Sequence, residues 1–226
     1  MSATHTQSAN IKKMVTLAML AAITYVVMLL CKNIPAVSGF LQLEVKETVI
    51  CIGGFLYGPL SAAVISIVVA VVEFFTVSDT GPIGLVMNVL ATVSFCCTAS
   101  FIYKKMHSRR GAVIGLAVAT FVLTVVMLLW NYLITPLYMV GVTREAVVKM
   151  LPTVFLPFNL VKGALNMAAT LIIYKPVVTG LRKANLVPPS HDVHAAPKKL
   201  NGGFWLFTIV LLATAIVTAL VLMGKL

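Results

Sequence analysis

Asn159, Lys162, Gly163, Asn166 and Thr170 sit in an otherwise apolar run that continues to Tyr174. At about 100° per residue these five fall within one arc of about 100°, so a helix carries them as one polar face. A lysine inside a membrane-spanning helix costs roughly 2.5–3.5 kcal/mol on insertion scales, which makes it a functional-site candidate by default. An ammonium beside two carboxamides, with no acid near it in the run, is suited to hydrogen-bonding an uncharged guest. Two plainer readings stand beside that one. Lys162 snorkels its ammonium to the bilayer surface, or the asparagines hold helices together. A helix starting at Pro157 puts Lys162 about 7 Å in and leaves snorkelling feasible; a start near Thr153 makes it about 13 Å and does not.

Other uncharged hydrogen-bonding groups lie within apolar runs: Asn88, and the cluster Trp130-Asn131-Tyr132. They are expected to converge with Asn159 and Lys162 near the outer side, under a loop that ends in Leu43 and Glu44. A cavity of amides, aromatics and one cation suits a flat, neutral, polar heterocycle. An amide offers donor and acceptor side by side, matching an imide edge, and aromatic rings supply an apolar wall.

Catalysis lacks its groups. His5, His107, His191 and His194 fall in segments expected to be cytoplasmic, and no acid pair lies within the apolar runs. No G-x-x-x-x-G-K-[ST] phosphate loop occurs, so this chain is not expected to hydrolyse ATP. Uphill transport would draw its energy from a partner. Cys31, Cys51, Cys96 and Cys97 have no metal-type spacing. They read as reduced, small hydrophobes, with a Cys31–Cys51 bridge as the lesser alternative.

The elements that must position these residues follow from composition. The chain has 226 residues, of which 60% are hydrophobic and 10% charged, and its mean hydropathy is +1.04. Soluble domains carry roughly 25% charge. Several apolar runs reach about 20 residues, so the fold class is an all-α polytopic membrane bundle. The net charge of +11 is a positive-inside pattern rather than a nucleic-acid footprint. With the N-terminus in the cytoplasm, Lys12, Lys13, Lys104, Lys105, Arg109, Arg110, Lys175, Arg182, Lys183, Lys198 and Lys199 lie inside, whereas Glu44, Glu47, Glu73, Asp79 and Glu145 lie outside.

A first helix over 11–30 reads as retained rather than as a cleaved signal, with small residues at Ala18 and Ala22. Residues 32–46 form a long loop whose end alternates Leu41, Leu43 and Val45 with Gln42, Glu44 and Lys46. That period implies an extended piece, as a lid or as a plain connector. Helices over 48–57 and 60–75 are broken at Gly58-Pro59, the first too short for a full crossing. Gly54 and Gly58 make a close-packing pair. Further helices cover 83–103 and 112–135, and the Lys162 helix stops before Pro176. The expected organisation is a six-helix membrane domain over 1–185, a flexible linker over 186–203 and an accessory seventh crossing helix over 204–226. A metal reading of His191 and His194 is the lesser one there.

Three motifs carry a family resemblance: Lys12-Lys13-Met14-Val15 followed by Ala18 to Ile23, Ile52-Gly53-Gly54-Phe55-Leu56-Tyr57-Gly58-Pro59-Leu60, and Asn131 with Asn159-x-x-Lys162 ahead of Tyr174-Lys175-Pro176. Over residues 12–183 the chain resembles the substrate-capture (S) components of energy-coupling factor (ECF) transporters, of the riboflavin-specific type. The resemblance implies a six-helix fold in a prokaryotic plasma membrane, with a vitamin site near the outer face capped by the first loop. Asn131, Asn159 and Lys162 would bond the isoalloxazine and ribityl groups, with Tyr132, Asn88, Leu43, Glu44 and Asn166 completing the site. Riboflavin would be the transported substrate and not a cofactor. The implied partners are an integral coupling subunit, met by Ala18 and Ala22, and two ATP-binding-cassette ATPases. Another vitamin or precursor, such as pantothenate or a thiamine-related pyrimidine, and a non-transporting membrane scaffold remain as alternatives.

Overall fold

The computed structural model describes residues 2–78, 80–138, 141–187 and 202–225. The chain runs through α1 (Ser2–Cys31), α2 (Lys46–Tyr57), α3 (Pro59–Thr76), α4 (Gly81–Met106), α5 (Arg109–Tyr138), α6 (Arg144–Met150), a π turn (Leu151–Phe155), α7 (Leu156–Lys183) and α8 (Gly202–Leu222). Among the described residues, six stretches are long and apolar enough to cross a membrane, taking Arg144–Lys183 as one. This is a multi-pass helical bundle.

Hydroxyls inside these helices are satisfied locally. Thr16 and Thr24 donate to the carbonyls of Lys12 and Leu20 at 2.8 and 2.7 Å, which keeps a polar group paired where no water is present. Between α2 and α3, Gly58 adopts φ +93° and Pro59 opens α3. Left-handed backbone favours glycine, and proline at a helix start gives up an N–H that has no partner there anyway.

The short α2 packs against α1, α3, α4 and α7. Gly54 permits that position, because a methyl there would overlap Ser100 Oγ and sit 2.9 Å from Ala62 Cβ. Leu20, Ile50, Phe55, Ile65, Phe95, Leu116 and Leu123 form the buried core around it. Cys31, Cys51 and Cys96 are buried, and no cysteine is bridged among the described residues.

Four boundaries differ from the sequence expectation. α1 begins at Ser2 rather than near residue 11. α5 continues through Pro136 to Tyr138, and α7 through Pro176 to Lys183. Proline loses one ladder bond, and membrane helices tolerate the loss where neighbouring groups re-satisfy the freed carbonyl. The outer loop that the sequence leads one to expect over 139–150 is helical from Arg144 onward. Thr143 accepts from the Ala146 amide at 3.3 Å and caps α6, and the π turn carries it into α7.

The α1–α2 loop, residues 32–45, is extended only in part. Its regular contact is a Val37–Leu41 bridge, with amide-to-carbonyl distances of 2.8 and 3.0 Å. α8 lies along α7 through Thr208, Ala215 and Ala219. The proline-rich segment with His191 and His194 falls outside the described residues.

Candidate functional site

A cavity of about 370 Å³ opens between the α1–α2 loop, α4, α5 and α7. Phe40, Gln42 and Glu44 come to it from the loop, Met87 and Asn88 from α4, Met127 and Asn131 from α5, and Phe158, Asn159 and Lys162 from α7. Its size is within the range typical of small-molecule sites, and its wall mixes the apolar Phe40, Met87, Met127 and Phe158 with a larger number of polar and charged residues.

The carboxamides are held by their own helices. Asn131 Nδ2 donates to the Met127 carbonyl at 2.7 Å, and its Oδ1 accepts from Thr135 Oγ1 at 2.9 Å. Asn159 Nδ2 donates to the Phe155 carbonyl at 2.8 Å. Each amide has two N–H groups and two lone pairs, so both keep capacity for a guest while their rotamers are fixed.

Lys162 is 8% exposed, so it does not snorkel. Nor is it without an acid, as its own run suggests. Its Nζ lies 3.0 Å from Glu47 Oε1 and 3.6 Å from Glu44 Oε2. Lys46 Nζ lies 3.0 Å from the same Glu44 oxygen and 2.8 Å from Glu73 Oε2. Lys32 borders the cavity as well and donates to the Val77 carbonyl. Three carboxylates therefore face three ammonium groups across the loop, α2, α3 and α7. Burial opposes ionisation of Glu44, but the Lys46 and Lys162 ammoniums outweigh it and hold the loop carboxyl below its ordinary range.

Asn166 is structural in its contacts. Val45 precedes α2, and its apolar side chain makes no capping hydrogen bond. Asn166 Oδ1 instead accepts from the Thr48 amide at 3.1 Å, while its Nδ2 donates to the carbonyls of Glu44 at 2.8 Å and Lys162 at 3.0 Å. One side chain thus joins α7 to both the loop and the start of α2.

Of the residues singled out in the sequence, Glu44, Asn88, Asn131, Asn159 and Lys162 meet at the cavity. Leu43, Tyr132 and Asn166 do not line it. Leu43 packs with Val37, Phe158, Val161 and Ala219, and Tyr132 is half-exposed with Arg144 5.5 Å from its ring centroid. Gln42, a residue outside the site expected from the sequence, lines the cavity, and its buried Oε1 receives no hydrogen bond among the described residues. Its place two residues from Glu44 in an alternating stretch was the available signal. Ala18 and Ala22 are exposed on α1.

A family model for the substrate-specific component of ECF transporters matches residues 12–174. The riboflavin transporter FmnP of Bacillus subtilis (strain 168) is 27% identical over 188 residues, spanning 78% of this chain and 99% of the relative. The riboflavin transporter RibU of Staphylococcus aureus (strain TCH60) is 28% identical over 178 residues, spanning 76% and 93%. The solved S component of a bacterial ECF transporter superposes with a TM-score of 0.64 at 29% identity, covering 76% of this chain and 99% of that one.

Proposed function

This chain belongs to the family of substrate-specific components of ECF transporters, and from that premise we propose that it captures riboflavin outside the cell and delivers it inward. The observation that carries this reading is the charge balance of the cavity. Glu44 and Glu73 in its lining are matched by Lys32 and Lys162, and Lys46 and Glu47, outside the lining, add one charge of each sign through the pairs Lys46–Glu73 and Lys162–Glu47 at 2.8 and 3.0 Å. A guest has no net charge to neutralise there, so a neutral one is favoured over a carboxylate such as pantothenate.

Asn131 and Asn159 present amide edges suited to the flavin imide and the ribityl hydroxyls, and Gln42 Oε1 awaits a donor. Met87, Met127 and Phe158 give the ring system polarisable, apolar walls. No catalytic step is assigned to any residue. The N-terminus is cytoplasmic and the cavity faces outward. An integral coupling subunit meets α1 at Ala18 and Ala22, whose exposure leaves a small-residue face for it. Two ATP-binding-cassette ATPases supply the energy.

The test is a thermal-shift panel on detergent-purified protein with riboflavin, pantothenate, thiamine and thiamine-related pyrimidines. Riboflavin alone is expected to raise the melting temperature. Stabilisation by another vitamin and not by riboflavin would reassign the substrate.

A further inference from the structure

α8 lies beyond residues 12–174, the part that the family model matches. Its end is sharply defined. Gly224 adopts φ +67°, its amide donates to the Val221 carbonyl at 3.0 Å, and the Lys225 amide donates to the Leu220 carbonyl at 2.9 Å. This pair of bonds is the Schellman stop, which fixes the last turn against fraying.

That last turn meets the α1–α2 loop. Val37, Leu43, Phe158, Val161 and Ala219 form one buried apolar cluster, with Leu41, Leu222 and Met223 packed against it. Val37 is 1% exposed and Leu43 4%, although surface loops are ordinarily open and mobile. The loop has a single backbone bridge of its own, so its burial comes from packing with α7 and α8. The same loop presents Phe40, Gln42 and Glu44 to the cavity. Successive side chains of extended chain point to opposite sides, so what backs Leu43 also fixes where Gln42 and Glu44 point.

We propose that Ala219, Leu222 and Met223 are positioning residues: the end of α8 braces the α1–α2 loop against α7 and sets how fast the cavity opens. The effect on ligand release rests on the riboflavin reading; the brace does not.

The test uses the full chain with L222S/M223S, against I216S/V217S on the exposed side of the same helix. Without ligand, amide hydrogen exchange at Val37 and Leu41 is expected to accelerate by about tenfold or more in L222S/M223S, and to be unchanged in the control pair. Met223→Leu alone, which keeps the apolar volume, should leave exchange as in the parent. With riboflavin bound, stopped-flow release should accelerate by a similar factor. Exchange within about twofold of the parent at these amides, or acceleration spread equally over α3, α4 and α5, overturns the brace. Unlike either of those results, absence of riboflavin binding by the parent sinks only the proposed substrate, because the exchange experiment needs no ligand.

Discussion

Lys162 Nζ and Glu47 Oε1 stand 3.0 Å apart, joining α7 to the first turn of α2 beneath the cavity. The contact changes what Lys162 is for. It is one member of a buried charge network that also anchors the α1–α2 loop through Glu44. A buried pair is costly to break, since the remaining partner keeps its desolvation penalty.

Lys162→Met is therefore expected to destabilise the ligand-free protein by about 3–5 kcal/mol, by leaving the buried Glu47 without its cation, whereas Glu44 keeps Lys46 at 3.0 Å. The double variant Lys162→Met/Glu47→Gln should recover most of that loss. Melting temperatures in detergent decide it. A single variant as stable as the parent would show that the pair contributes nothing.

Asn131→Leu separates binding from folding better than any lysine variant. The side chain bonds only within α5 among the described residues, so its removal leaves no unpaired charge. Loss of its guest contacts should cost about 1–3 kcal/mol, or about 5- to 150-fold in riboflavin affinity. Flavin fluorescence titration measures this. An unchanged affinity would remove Asn131 from the site.

Asn166→Ala should act through structure. It removes the Thr48 cap at 3.1 Å and the Glu44 carbonyl bond at 2.8 Å, for about 2–3 kcal/mol together. The expected signature is faster hydrogen exchange at Thr48 and in the loop. If exchange there matches the parent, the asparagine is not the cap.

The pH dependence follows from Glu44. Its folded carboxyl titrates below the ordinary value of 4.5. Its contribution to stability is thus complete at neutral pH, and is lost only as pH falls from that value through the lower folded one. The melting temperature should drop across this acid window in the parent, and the drop should be smaller in Glu44→Gln. Equal drops would assign acid sensitivity elsewhere.

Much of the architecture could be read from local signals. Gly58-Pro59 marks the α2–α3 break because both residues act on their own backbone. The apolar runs give the crossing helices for the same reason. Pro136 and Pro176 misled, because a lost N–H ends a helix in water and only interrupts one in a packed membrane bundle. The partners of Lys162 were not legible. Glu44 and Glu47 are more than a hundred residues away in sequence, and no periodicity reports which helix faces which. Gln42 shared the alternation that drew attention to Glu44. What makes it notable is a missing partner, which only packing reveals.

The most direct measurement is the absorption spectrum of the full chain purified in detergent from riboflavin-containing medium. A neutral, amide-lined cavity for a flavin predicts yellow protein that releases one equivalent of riboflavin on denaturation and rebinds it with a Kd of about 1 µM or tighter. Colourless protein that neither quenches added riboflavin fluorescence nor gains melting temperature from it would contradict the account.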